Sequence, residues 1–284
     1  MNYLKKSFEF LSVKQDGGVI VLTFENAEDM NAVNLSMIED LGEIFPQVAA
    51  DPSAKVLVLT GSGRAFSAGG NMRAMAAEQA HGAGGPLTRP LWNVPNISAE
   101  ERLRNQQTTG LRFMRQLFEL EIPTIAALNG PAAGAGMDTA LWCDIRIMAE
   151  SAFMVNSYVR VGLVPFDGSM WLLPRMVGLG RALEIMYSGR KLDAAECERI
   201  GLANRVVKDE DLMTETMDMA HKLADGPGVA YSLIKYITQK SLSMDHIEAL
   251  DLSYTTRDTV FSTADHAEGV RAFYEHRAPK FIGR

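Results

Sequence analysis

The chain has 284 residues, 47% apolar and 22% charged, the balance of a soluble globular protein long enough to bury one large core or two ordinary ones. A formal net charge of −7 gives a nucleic-acid partner no electrostatic support over the whole chain, and two cysteines, Cys143 and Cys197, make neither a disulfide framework nor a metal-ligand spacing. That cysteine usage fits a reducing, cytoplasmic setting, and no apolar run has the length of a membrane span or the pattern of a secretory leader.

Residues 8–24 predict a hairpin: a partly alternating run, a turn at Asp16-Gly17-Gly18, and a buried-type strand at 19–24. Residues 25–34 are polar and loop-like, and Asn34 or Ser36 is placed to cap a helix over 37–50. A second buried-type strand at 55–60 runs into a glycine-rich break, residues 61–70. Residues 72–98, with Pro86, Pro90, Trp92 and Pro95, are the least regular part and read as a lid, a binding loop or a disordered segment. A helix is expected over 101–120, with Leu103, Leu111, Met114 and Phe118 on one stripe.

The next stretch organises the chain. An apolar run, 122–128, breaks at Asn129-Gly130-Pro131, passes through the small residues 132–136, and re-enters as a helix from Met137 that carries Asp138. A strand that breaks on glycine and opens a helix leaves backbone N–H groups without partners, and the small residues let a ligand atom approach them. This is the second such junction, after 61–70, and ligands in open α/β sheets gather at strand ends of this kind. Beyond it the pattern predicts strands near 144–148 and 150–155, helices from Met170 and over 181–187, and a capping-box spacing at Asp193 and Glu196 with Gly201 closing that helix. A short strand at Val206-Val207 leads into a region that reads helical to the end. The expected division is an α/β core over 1–205 and a helical C-terminal region over 206–284.

Among rival chemistries, Gly134-Ala135-Gly136 suggests a dinucleotide fingerprint, but Thr139 stands at its third glycine. No Walker lysine follows a glycine loop, and Gly61-Ser62-Gly63-Arg64 lacks the register of a nucleophile elbow. The later histidines are scattered without ligand spacing. What remains is two sets of backbone donors with two carboxylates nearby. Asp138, early in a helix, is either a favourable partner of the helix dipole or an acid/base beside an oxyanion site. Asp167, in Pro165-Phe166-Asp167-Gly168, is either a turn aspartate or a second functional carboxylate.

Six segments resemble the crotonase (enoyl-CoA hydratase/isomerase) superfamily. They are Ala65-Phe66-Ser67-Ala68-Gly69-Gly70-Asn71-Met72, Asn129-Gly130-Pro131-Ala132-Ala133-Gly134-Ala135-Gly136, Asp144-Ile145-Arg146-Ile147, Gly162-Leu163-Val164-Pro165, Gly201-Leu202-Ala203-Asn204-Arg205-Val206, and the closing residues 273–281. The resemblance implies an α/β fold: a crotonase-like spiral of repeated ββα units with a helical C-terminal trimerisation region, assembling as trimers or dimers of trimers. It implies an acyl-CoA substrate, as in fatty acid metabolism, with coenzyme A carried on the thioester and no separate cofactor or metal. By motif, the thioester oxygen would be held by the backbone N–H groups of Ala68 and Ala135. Ala65, Gly69, Gly70, Met72, Gly134 and Lys280 would bind substrate or its CoA part, with Arg277 a further phosphate contact.

The departures concern the acid/base groups. Hydratases of the family carry two glutamates, and here those positions hold Asp138 and Tyr158, with Ser157 adjacent. An aspartate at the first position also occurs in dienoyl-CoA isomerases. Asp167 is an extra carboxylate whose register resembles the superfamily's β-diketone hydrolases, which carry histidine where this chain has Tyr158. Near the adenine side, Asp29 and His276 stand where basic residues are frequent. The expectation is an enoyl-CoA hydratase using Asp138 with Asp167 or Tyr158. The alternatives are double-bond isomerisation, C–C hydrolysis, or an acyl-CoA binder without catalysis.

Overall fold

The computed structural model describes residues 2–71 and 111–283. Strand β1 (Leu11–Asp16) pairs antiparallel with β2 (Val19–Phe24) from Leu11 opposite Phe24 to Asp16 opposite Val19. From β2 onward the sheet is parallel, through β3 (Val56–Gly61), β4 (Thr124–Leu128), β6 (Ile145–Ala149) and β9 (Arg205–Val207). Its order is β1-β2-β3-β4-β6-β9. Parallel strands are covered on both faces, which is why β3 and β4 are near-continuous apolar runs rather than alternating ones.

Helix α1 (Leu35–Ala49) joins β2 to β3 and is capped by Asn34, whose side chain accepts the Met37 N–H at 2.9 Å. Helix α2 (Leu111–Glu119) is the described part of the helix expected over 101–120; the irregular segment 72–98 lies outside the described residues. Helix α3 (Ala135–Trp142) joins β4 to β6. A second sheet, order β5-β7-β8, is built from strands too short to show in the sequence pattern: β5 (Ala132–Ala133), β7 (Phe153–Val155) and β8 (Lys191–Asp193). After β7 a 3-10 turn (Tyr158–Val161) leads to α4 (Ser169–Val177) and α5 (Leu179–Ser188). Helix α6 (Ala194–Arg199) is capped by Asp193, which accepts the Glu196 N–H at 2.8 Å, and Gly201 beyond its end has φ +83.

Helix α7 (Leu212–Ala224) lies against β3 and β4 and adds Leu212 and Ala220 to the core. The helices that follow behave differently. Within this one chain α8 (Gly228–Ser241), α9 (His246–Thr255) and α10 (Arg257–Phe261) bury no residue fully. They leave Ile234, Ile247, Leu250, Tyr254 and Phe261 exposed, and Phe273 and Tyr274 at the end of α11 (Ala264–Tyr274) are exposed too. Large apolar side chains left exposed along several successive helices are a feature of interaction faces. The last residues fold back on α11, where Asp265 accepts the N–H groups of Ile282 and Gly283 at 2.7 and 2.8 Å, and Glu268 accepts that of Lys280 at 2.9 Å. Among the described residues no helix is long and apolar enough to cross a membrane.

Candidate active site

The two glycine junctions lie at the carboxyl ends of neighbouring parallel strands, β3 and β4, and they are clamped backbone to backbone. The N–H groups of Phe66 and Ser67 both donate to Pro131 O at 3.1 Å, and the Ala133 N–H donates to Ser67 O at 2.9 Å. Glycine is required at this seam: a Cβ on Gly69 would lie 2.3 Å from Ala133 O, and one on Gly136 would lie 2.4 Å from Ser67 O. Asn31, fully buried, pins the first junction from the side, with Nδ2 donating to Ala65 O at 2.7 Å and to Ser62 O at 2.9 Å.

A cleft of about 590 Å³ opens along this seam. Ala68, Gly70, Gly134, Ala135, Tyr158 and Asp167 line it, with Phe113, Met114 and Phe166 among its apolar walls. Of the small residues expected there, Gly70, Gly134 and Ala135 reach the cleft directly. Ala65 does not: it is completely buried and its carbonyl is taken by Asn31 and Asn129. Gly69 is buried in the seam, and Met72 lies outside the described residues.

The expected donor Ala68 also needs correction. Its side of the loop faces the cleft, but its N–H donates to Met30 O at 2.9 Å. Two residues on, the Gly70 N–H has no hydrogen-bond partner among the described residues, and neither has the Ala135 N–H at the start of α3. Local backbone geometry explains the difference. Val33 pairs with Gly70 as an isolated parallel bridge and donates to Gly69 O at 2.7 Å, while Gly69, at φ +86, turns the chain between Ala68 and Gly70, so the Gly70 N–H does not follow that of Ala68 toward residues 30–33. At the seam, the two junctions thus each present one cleft-lining amide without an acceptor among the described residues, Gly70 and Ala135.

Beside that pair sits a hydrogen-bonded string of side chains. Asp138, in the first turn of α3, has 0% of its surface exposed. Its Oδ2 lies 2.8 Å from the Tyr158 hydroxyl, which is also 2.8 Å from Oδ2 of Asp167. Its Oδ1 accepts from the Ser169 hydroxyl, which in turn accepts from Asn156 Nδ2 at 2.8 Å. Burial pushes the Asp138 carboxyl up to about 7, against the opposing pull of the Ser169 and Tyr158 hydroxyls, with the Asp167 charge adding to the rise. Burial raises Asp167 as well, and burial beside two carboxylates drives the Tyr158 phenol far above its usual range.

A phenol has one hydrogen and here faces two carboxyl oxygens at hydrogen-bond distance. Both contacts are satisfied together when one carboxyl is protonated, so the Asp138–Tyr158–Asp167 string has a place for one proton beyond the phenol's own. Its outer end is set by Gly168, with φ +137, where a Cβ would lie 2.5 Å from the Trp142 ring nitrogen. Trp142 Nε1 donates to Asp167 O at 2.7 Å and its ring stacks on Trp171, fixing the loop that carries Asp167.

Ser169 and Asn156 were not singled out in the sequence. A serine between glycine and an apolar helix reads as a cap, and nothing at Asn156 distinguishes it from a loop residue. Two expected contacts are not brought to the cleft within this chain. Lys280 lies in the C-terminal segment, its backbone tied to Glu268, and Arg277 is paired with Glu268 at 2.6 Å.

Residues 14–94 and 95–284 match the family described as enoyl-CoA hydratase/isomerase. The chain is 34% identical to the 1,2-epoxyphenylacetyl-CoA isomerase of Escherichia coli over 97% of its own length and 99% of that protein's. It is 30% identical to the crotonyl-CoA hydratase of Syntrophomonas wolfei, covering 98% of this chain and all of the relative. Among solved structures, an enoyl-CoA hydratase from Bacillus anthracis superposes with a TM-score of 0.84 at 29% identity, over 97% of this chain and all of that one. The spiral α/β architecture, the strand-end seam and the full-length matches agree: this chain is a member of the enoyl-CoA hydratase/isomerase family and has the crotonase fold.

Proposed function

We propose that the protein is an enoyl-CoA hydratase that adds water to a double bond conjugated with a coenzyme A thioester. The observation that carries this reading is the Tyr158 hydroxyl, 2.8 Å from a carboxyl oxygen on each side. One ionised and one protonated carboxyl, held together near neutral pH, supply the base and the acid that hydration needs.

In this reading the amides of Gly70 and Ala135 hold the thioester oxygen. As the double bond is attacked, negative charge moves onto that oxygen, and two fixed N–H donors in a partly closed cleft stabilise it. The ionised carboxyl removes a proton from water while the water oxygen bonds to Cβ. The protonated partner then delivers its proton to Cα as the enolate collapses, giving the 3-hydroxyacyl thioester. Asp138 is the principal acid/base; having no exposed surface, it exchanges its proton with the cleft through the Tyr158 hydroxyl, and Asp167, which lines the cleft, is the second group. The exposed apolar faces of α8 to α11 support assembly of three copies or a dimer of trimers. A cytoplasmic setting remains the simplest home for a chain whose two cysteines are free and buried.

A second reading is favoured by one feature. The Tyr158 oxygen lies between the two carboxyls, 2.8 Å from each, so the proton-sharing string is complete without a water. The same string could lift a proton from Cγ and return it to Cα, moving the double bond without adding water.

A panel of enoyl-CoA esters tests both readings, followed by loss of the conjugated thioester absorbance and by mass spectrometry. Hydration adds the mass of one water, isomerisation leaves the mass unchanged, and C–C hydrolysis releases two acid-sized fragments. Tight CoA-ester binding with no turnover on any ester, and no effect of Asp138→Asn on that binding, would overturn an enzymatic role.

A further inference from the structure

Both oxygens of the buried Asp138 carboxyl are engaged, but by partners of different character. Oδ2 faces the Tyr158 hydroxyl, which can donate or accept. Oδ1 faces the hydroxyl of Ser169, a residue with no exposed surface at the first position of α4. Asn156, also fully buried, donates its amide N–H to the Ser169 oxygen at 2.8 Å. A serine hydroxyl whose oxygen receives a donor from one side turns its own hydrogen the other way. The Ser169 hydrogen is thereby directed at Asp138 Oδ1.

We propose that Ser169, oriented by Asn156, is a positioning residue that reserves Oδ1 of Asp138 as a permanent acceptor and so confines that carboxyl's transferable proton to Oδ2, the oxygen facing Tyr158. The inference rests on Asp138 being the acid/base of the proposed reaction. Its chemical content is directional. A carboxyl with two equivalent oxygens can hold its proton on the face away from the substrate, where it is useless. A carboxyl with one oxygen locked exchanges its proton only along the Asp138–Tyr158–Asp167 line.

The titratable groups facing Asp138 are Tyr158, from the 3-10 turn, and Asp167, from the segment entering α4. Ser169 itself does not titrate, so its removal changes the string without removing a proton from it. A hydroxyl donated to a carboxylate favours the ionised form, and its loss raises the pair's titration.

The test is Ser169→Ala, read first by carbon NMR of the Asp138 carboxyl in the ligand-free protein, then by the pH dependence of kcat/KM on an ester the native enzyme turns over. The expected result is a midpoint raised by about one pH unit or more, with the acid limb of kcat/KM moving up by the same amount and kcat at the shifted pH optimum within a few fold of native. Ser169→Thr, which keeps the hydroxyl, should restore the native midpoint. Where Ser169→Ala does not fold, Ser169→Cys fills the same space with a weak donor and should show the same upward shift. A uniform fall in kcat with the NMR midpoint and acid limb unmoved would overturn the proposal and leave Ser169 a packing residue. Native activity in Asp138→Asn would instead remove the acid/base reading, while the NMR titration would still decide whether Ser169 governs that carboxyl.

Discussion

Replacing Asp138 by Asn should abolish catalysis and stabilise the fold, and the second effect follows from the site's electrostatics. The Asp138 carboxyl titrates near 3.8 in an unfolded chain and is pushed up to about 7 in the folded one. A group raised in this way favours folding fully while it is protonated in both states, below about pH 4. As pH climbs, the unfolded chain gives up its proton first, so the folded state holds more protons and stability falls until the folded carboxyl also ionises, near pH 7. Across that window the burial of this one carboxyl costs on the order of 2–4 kcal/mol. Asparagine keeps the geometry without the charge: its carbonyl accepts from Ser169, its amide donates to the Tyr158 oxygen, and the phenol donates to Asp167. Melting at matched protein concentration, followed by circular dichroism from pH 4 to pH 9, should therefore show no difference at the acid end. At pH 8 the variant should melt higher by roughly 5–10 °C, taking about 2–4 °C per kcal/mol for a chain of this size. A variant that melts at the native temperature throughout, or lower at pH 8, would refute the claim that this carboxyl is held above its ordinary range.

Removing the phenol oxygen with Tyr158→Phe severs the link between two carboxylates. Its hydrogen bonds lower both of them, so the acid limb of kcat/KM should move up while kcat/KM falls by about ten- to a hundredfold, as the loss of ~1.5–3 kcal/mol of charge-assisted bonding requires; an unchanged profile would argue against the shared proton. Ala135→Pro deletes one backbone donor at the first position of a helix, where proline is tolerated, and should cut kcat by about 10²–10³-fold with melting little changed. Gly168→Ala sets a methyl group against the Trp142 ring at a φ of +137, so both stability and activity should drop together, by about 2 kcal/mol or more in chemical denaturation.

Much of the architecture was readable because it is written in periodicity and composition. The runs that became β2, β3 and β4 are continuous and apolar, as strands covered on both faces must be, and the glycine breaks after β3 and β4 announced where a ligand could approach the backbone. The choice between Ala68 and Gly70 was not readable in the same way. Both are small, and which N–H points into the cleft depends on the pairing of that segment with residues 30–33, a contact between distant parts of the chain. Ser169 and Asn156 were hidden for a related reason: a serine opening a helix has an ordinary local explanation, and only the fold shows that its hydroxyl is turned toward Asp138. Strands β5 and β8, of two and three residues, exist because neighbours pair with them and carry too little pattern to stand out.

The seam between the two glycine junctions bears on how this protein can change over evolutionary time. At Gly69, Gly130 and Gly136 an added Cβ would come within 2.2–2.4 Å of a carbonyl oxygen of the opposing loop, so the distance between the two amides is fixed by main chain alone and no side chain is available to tune it. Selection acting on single substitutions finds almost nothing to vary there except loss. The variable parts of the instrument are the carboxyls and hydroxyls hung around it, at positions 138, 158, 167 and 169. A new reaction can arise by exchanging those few groups while the backbone frame of the seam is inherited unaltered.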